Sequence, residues 1–212
     1  ALNYADEISD RARLASACNV IYLKNERLFA DCTDGFGLIR DVEENLKISL
    51  KNKKILILGA GGAARGIIPS IIEKNPAKLK IANRTESKAF SLKADLEDKV
   101  DLKKKNLIFE AGSLLDDFLL TDSYDLVINS TSVSTQIGES LGLPKALFSG
   151  TKLAYDLFYA DEKTVFMQDA LAGGAEKVSD GWGMLVEQGA ESFKLWTNLI
   201  PDTSRLLEKP ID

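Results

Sequence analysis

Histidine is absent from the 212-residue sequence. That excludes a histidine-containing triad, a histidine-liganded metal site and a histidine general base. Acid–base chemistry must then come from Asp, Glu, Lys, Tyr or Cys. Cysteine is nearly absent too: Cys18 and Cys32 are too few for a disulfide framework and fit a reducing compartment. No apolar run reaches the roughly 18 residues a bilayer span needs, and no basic–apolar–small series opens the chain. A cytoplasmic protein without a membrane partner is therefore expected. Positive charge is not in excess either. The net charge of −5 leaves no electrostatic footprint for nucleic acid, and Lys103-Lys104-Lys105 reads as a solvated loop.

An apolar fraction of 45% and a charged fraction of 28% are ordinary for a globular chain. The length allows one large domain, or one domain and part of another. Over residues 5–18, Ala5, Ile8, Ala12 and Ala15 fall at helical spacing, with Asp6 and Glu7 near the positive end of the predicted helix. Short strands are expected at 19–23 and 28–30 around a Lys24-Asn25-Glu26 turn. Gly35 opens a second helix with the stripe Ile39, Val42 and Leu46. These elements cannot enclose a core by themselves.

From Lys53 the pattern becomes strand, helix, strand, helix. Ile55-Leu56-Ile57-Leu58 is a continuous apolar run of the kind buried on both faces of a parallel sheet. A helix through Ile67, Ile68, Ile71 and Ile72 follows, then a strand at 79–82 and a helix over 86–96. Further strands are expected at 107–109, 126–128 and 153–157, with a last one near Val178. The alternation predicts an α/β fold with a doubly wound, Rossmann-like, mostly parallel sheet. A closing helix over 183–199 carries Leu185, Gln188, Ser192 and Leu195 on one face and should leave that sheet.

Gly59-Ala60-Gly61-Gly62-Ala63-Ala64 directly follows the first buried strand and opens a helix, which satisfies G-x-G-x-x-A in its structural context. Gly59 permits the tight turn, Gly61 lets the backbone approach a pyrophosphate, and Ala64 allows close helix–strand packing. The helix N-terminus then offers free N–H groups to the phosphates. At the end of the second strand, where an NAD site places an acid, stand Asn83, Arg84 and Thr85, followed by Lys88. A guanidinium with an ammonium nearby favours the 2′-phosphate of NADP. The bland alternative is an exposed Arg in a loop.

With those motifs placed, the chain resembles the shikimate dehydrogenase family along its length. Gly59 to Ala63 and Asn83-Arg84-Thr85 match the family's cofactor motifs. Asn129-Ser130-Thr131-Ser132 is similar to its loop beside the nicotinamide ribose, which implies a cofactor contact at Thr131. Tyr155-Asp156-Leu157-Phe158-Tyr159 resembles a segment that implies a nicotinamide contact at Leu157 and a substrate contact at Tyr159. Asp180-Gly181-Trp182-Gly183-Met184-Leu185-Val186-Glu187-Gln188 matches another stretch, implying Gly181 at the nicotinamide and Gln188 on shikimate. Cys18-Asn19-Val20 and Thr33-Asp34-Gly35 resemble two substrate-side motifs, which imply substrate binding by Asn19 and Asp34 and catalysis by Asp34. Asp34 also directly precedes a helix and can serve as its N-cap, a role compatible with catalysis. Cys32 and Val20 depart from the residues common there, as does Val133-Ser134.

The resemblance implies reversible NADPH-dependent reduction of 3-dehydroshikimate to shikimate, with a Lys/Asp pair handling the proton. The lysine belongs to a Val-Pro-Phe-Lys-like segment preceding the first helix, and Ala1 stands just after its place. The expectation is thus a truncated chain. Residues 1–34 would be the remnant of a substrate domain, 35–52 a connecting helix and linker, 53–182 the NADP-binding domain, and 183–212 helices packing back toward the substrate domain. Such a chain would bind NADP but turn over poorly, and could self-associate through the surface laid bare. The alternatives are a non-catalytic NADP-binding module and an NAD-using quinate/shikimate dehydrogenase.

Overall fold

The opening segment is not one helix. In the computed structural model, which describes residues 1–208 except 103, 116 and 137, a 3₁₀ turn over Leu2–Tyr4 leads into strand β1 (Glu7–Ile8) and helix α1 (Asp10–Ala15). Lys103 of the basic run lies outside the described residues, as do residues 209–212. The predicted helix over 5–18 is interrupted for local reasons. Glu7 and Ile8 pair in parallel with Phe29 and Ala30. Ser9 then caps α1, its hydroxyl accepting from the Ala12 N–H at 3.2 Å. Ser16, at φ 51°, stops the helix after six residues.

Strands β2 (Val20–Lys24) and β3 (Arg27–Asp31) form an antiparallel hairpin, Leu23 opposite Leu28 and Lys24 opposite Arg27. Asn25 and Glu26 both sit at positive φ, 51° and 62°, the geometry of a two-residue type I′ turn. The sheet order is β1-β3-β2. Helix α2 (Asp34–Arg40) follows and runs on into a π-helical turn over Asp41–Asn45.

Beyond Leu50 the second pattern takes over. β4 (Lys54–Leu58), helix α3 (Gly62–Glu73), β5 (Lys78–Asn83), α4 (Glu86–Glu97), β6 (Ile108–Ser113), β7 (Leu126–Asn129), β8 (Leu153–Asp156), α5 (Val165–Ala172) and β9 (Val178–Ser179) appear in turn. The strands lie in the order β6-β5-β4-β7-β8-β9, every neighbouring pair parallel. Numbered within the sheet, that is the 3-2-1-4-5-6 order of a dinucleotide-binding fold. Ile55, Leu56, Ile57 and Leu58 are completely buried, as a strand covered on both faces requires. Each such side chain contributes about 1.5–3 kcal/mol of transfer free energy. Leu56, Leu58, Val127, Ala154, Phe148 and Phe166 share one core.

β6 is longer than expected. Its second half, Glu110-Ala111-Gly112-Ser113, has poor strand propensity, yet it pairs in register with Lys80 to Asn83. Gly112 is needed there because a Cβ would lie 2.7 Å from the Phe118 ring. Lys80 is another surprise on a central strand: its ammonium is buried, and it pairs with Asp122 at 2.8 Å and Glu110 at 3.3 Å while lying over the Phe118 ring. A buried cation survives only when paired in this way.

Helices α6 (Trp182–Thr197) and α7 (Ser204–Leu207) close the chain. By compactness, residues 1–49, 65–73 and 182–208 form one unit, and residues 50–64 and 74–181 a second. The helix α3 therefore opens in the second unit and continues in the first. The expectation of a remnant second domain is corrected here. Residues 1–49 do not fold alone; they form a unit of their own with two segments remote in sequence. Gly37 backs onto Met184 and Gln188 of α6, and Gly35 onto Ser70 of α3, each too closely for a Cβ. Among the described residues, no helix is long and apolar enough to cross a membrane.

Candidate active site

In the second unit, the loops that follow β4 and β7 leave the sheet at the point where strand order reverses, the usual ligand position in such sheets. Gly59 bends the chain at φ 107°, and a Cβ there would lie 2.6 Å from the Ser130 hydroxyl oxygen. Ser130 secures the crossing, its hydroxyl and its N–H both donating to the Leu58 carbonyl. Gly61 and Gly62 are exposed, and a Cβ on either would meet nothing within 4 Å. The turn therefore offers open backbone at the start of α3, where Gly61, Gly62 and Ala63 are exposed and Ala60 is half-buried, a cradle that fits a pyrophosphate.

At the end of β5, the Asn83 side chain donates to the Thr85 carbonyl at 2.8 Å and shapes the turn into α4. Arg84, Thr85 and Lys88 are all exposed there. Thr85 occupies the N-cap position without a side-chain cap bond. Two cations and a hydroxyl at one strand end, with no acid among residues 83–85, fit a 2′-phosphate.

The ends of β7 and β8 are tied together. The Asn129 oxygen accepts from the Thr131 N–H at 3.0 Å and from its hydroxyl at 2.7 Å. Leu157 is half-buried, and Gly181 lies so close that a Cβ would be 2.1 Å from the Leu157 carbonyl oxygen. The Gly181 N–H donates to the Phe158 carbonyl at 3.0 Å. Thr131, Leu157 and Gly181 are thus held by one hydrogen-bonded frame. Tyr159 follows, 46% exposed.

The first unit holds the other group. Asp34 is the first residue of α2, whose N-cap position is Thr33 and carries no side-chain cap bond. The N-cap role considered for Asp34 is not the one it adopts. Its Oδ1 accepts from the Asn19 amide at 2.6 Å, and the Cys32 thiol lies 3.8 Å from Oδ2. Asn19 also accepts from the Thr33 N–H at 2.9 Å, which fixes its orientation. Burial pushes the Asp34 carboxyl above the usual carboxylate range, against the opposing hydrogen bonds of Asn19 and Cys32. Burial, and then the Asp34 charge, push the Cys32 thiol up to about 12, so it is no nucleophile. The Thr33 hydroxyl meets that of Ser192 at 3.1 Å, and Ser192 donates to the Gln188 carbonyl. Among the described residues, none donates to the buried Gln188 side-chain oxygen.

Two features escaped the sequence. Asp31, bonded to Arg11 at 2.6 and 2.9 Å and to Ser9, anchors the strand that leads to Asp34. Asp156, at the end of β8, is completely buried. An acid at the end of a strand was the available signal for both.

Residues 41–150 match the family described as shikimate / quinate 5-dehydrogenase, and residues 181–208 match its C-terminal domain. The chain is 42% identical to a shikimate dehydrogenase (NADP(+)) of Dechloromonas aromatica, over 98% of this chain and 72% of that one. Among solved structures it is similar to an Ael1 enzyme from Pseudomonas putida, with 37% identity, a TM-score of 0.84, and coverage of 98% and 74%. It is similar also to the shikimate 5-dehydrogenase of Thermus thermophilus in complex with NADP(H) and shikimate, with 31% identity, a TM-score of 0.80, and coverage of 98% and 72%. These matches correct the expected picture of a mere remnant. Both parts of the family are represented, and the likeness extends over nearly the whole chain. The matches give no support to the expected poor turnover, which is withdrawn.

Proposed function

The chain belongs to the NADP-dependent shikimate dehydrogenase family, and on that premise we propose that it catalyses the reversible NADPH-dependent reduction of 3-dehydroshikimate to shikimate. NADP, when bound, supplies or accepts the hydride at the substrate's oxidised carbon. The backbone of Gly59, Ala60, Gly61, Gly62 and Ala63 holds the pyrophosphate. Arg84, Lys88 and Thr85 hold the 2′-phosphate on a turn shaped by Asn83, and Thr131, Leu157 and Gly181 position the nicotinamide half.

Asp34 handles the proton of the hydroxyl that becomes the carbonyl. The observation that carries this role is its burial-raised carboxyl, oriented by Asn19 rather than neutralised by a cation. A carboxyl moved toward neutrality exchanges a proton more readily in both directions at the working pH. Asn19, Gln188 and Tyr159 supply polar groups to the substrate's hydroxyls.

Incubating the purified protein with 3-dehydroshikimate and NADPH, with the product identified by mass spectrometry, tests this. Shikimate should form in step with loss of reduced-nicotinamide absorbance, and Asp34→Asn should lower kcat by about 10²–10⁴-fold. No product from a protein that binds NADPH refutes the reading.

A further inference from the structure

Asp156 closes β8 opposite Asn129 of β7 and is completely buried. Its four partners among the described residues are all donors, and they come from three different segments. Oδ1 accepts from the Asn129 amide at 3.1 Å and from the Phe158 N–H at 3.2 Å. Oδ2 accepts from the Ser134 hydroxyl at 2.6 Å and from the Thr164 hydroxyl at 2.7 Å.

Each partner is committed elsewhere. Asn129 uses its oxygen to hold Thr131. Ser134 accepts a second bond from the Asn129 amide at 3.0 Å. Thr164 caps α5, accepting from the Met167 N–H at 3.2 Å. Phe158 lies between Leu157 and Tyr159, and its carbonyl receives the Gly181 N–H. One side chain is therefore the hub through which the 129–134 loop, the 157–159 segment and the start of α5 are registered on one another. Burying a carboxylate this deeply is costly, and burial indeed pushes its pKa up despite the four donors. A fold that needed only to end a strand has no use for such a charge.

We propose that Asp156 is a positioning residue for hydride transfer, locking the loop after β7 and the segment after β8 into the arrangement that seats the nicotinamide half of NADP. The inference rests on the dehydrogenase reading above and adds a residue that touches neither substrate nor cofactor. Asp156→Asn keeps the shape but replaces one acceptor oxygen with a donor that faces hydroxyls already donating inward. Thr131 and Leu157 then lose their common reference, while Arg84, just past the end of β5, does not depend on it.

The test compares two ligands on wild type, Asp156→Asn and Ser134→Ala: NADP(H), and adenosine 2′,5′-bisphosphate, which carries only the adenine half with its 2′-phosphate. For Asp156→Asn, kcat/KM should fall about 10- to 100-fold, the effect of roughly an ångström of misplacement. Affinity for adenosine 2′,5′-bisphosphate should stay within about twofold of wild type. Ser134→Ala, which removes one bond and spares the α5 cap, should show a smaller loss of the same kind and nearly none in the Asp156→Asn background. Unchanged kcat and KM in folded Asp156→Asn overturns the proposal, as does an equal loss of affinity for both ligands. Should Asp156→Asn not fold, Ser134→Ala decides: wild-type kinetics there overturn it. An inactive wild type counts against the dehydrogenase reading instead, and the proposal then stands or falls on whether NADP affinity drops in the variants while that of the bisphosphate holds.

Discussion

Gly66→Ala is the substitution that separates activity from stability most cleanly. Gly66 sits inside α3, and a Cβ there would lie 2.6 Å from Asp34 Oδ2, 3.1 Å from its Cβ and 3.3 Å from its Cγ. Ordinary carbon contacts are about 3.5–4 Å, so the carboxyl must retreat by roughly 1 Å. Rotation alone does not relieve the contact, because the Asp34 Cβ is crowded as well as the oxygen. Retreat also strains the 2.6 Å bond from Asn19. A displacement of that size at a reacting group costs about 10²-fold in rate, near 2.7 kcal/mol of transition-state stabilisation. The helix itself gains, since Ala exceeds Gly by about 1 kcal/mol in a helix interior. The expected protein melts within a few degrees of wild type and reduces 3-dehydroshikimate about 100-fold more slowly. Steady-state kinetics alongside a thermal melt measure both quantities. A variant with wild-type kcat and an unchanged melt would refute the argument that Asp34 must stay where Gly66 leaves room for it.

Arg84→Asp should weaken NADP binding by about 10- to 100-fold and leave NAD binding unchanged or tighter, because the lost guanidinium meets only the 2′-phosphate; calorimetric titration of both dinucleotides checks it. Asp34→Asn should raise the melting temperature at neutral pH while abolishing most turnover. The sign follows from its raised carboxyl: the folded state favours the protonated form, so whatever stability this group lends is present at low pH and lost as pH rises through its folded value. A lower melting temperature than wild type at neutral pH contradicts it. Asp122 behaves oppositely. Burial alone would raise its carboxyl, but hydrogen bonds from Lys78 and Lys80 hold it well below the usual carboxylate range. Its stabilisation is therefore present above that range and fades as pH falls toward the depressed value. Asp122→Asn, which strips buried Lys80 of its nearest carboxylate, should cost about 3 kcal/mol in urea unfolding at neutral pH.

How much of this was legible in the sequence depended on whether the signal was local. Ile55 to Leu58, the glycine turn and the Asn83-Arg84-Thr85 strand end are each contiguous, and propensity, burial and chemistry agree there. The second half of β6 was not legible, since Glu110 to Ser113 are held as a strand by pairing with β5 and not by their own preference. The helix expected over 5–18 failed for a related reason. Helical spacing of Ala5, Ile8, Ala12 and Ala15 is real, but pairing of Glu7 and Ile8 with β3 and the Ser9 cap place the helix start further on. The largest misreading concerned what completes the first unit. Residues 65–73 and 182–208 lie far along the chain, and nothing in residues 1–49 announces them. At the site, Asp34 was readable as a motif, but its bond to Asn19, the room left by Gly66 and the hub at Asp156 are facts of three-dimensional packing.

Turnover of shikimate by the purified protein, measured in parallel with NADP+ and with NAD+ and with quinate as the competing substrate, tests the central claim most directly. The highest kcat/KM is expected for shikimate with NADP+, with a loss of that cofactor preference in Arg84→Asp. No shikimate oxidation by a protein that binds NADP+, or a kcat/KM with NAD+ equal to or above that with NADP+, would contradict it.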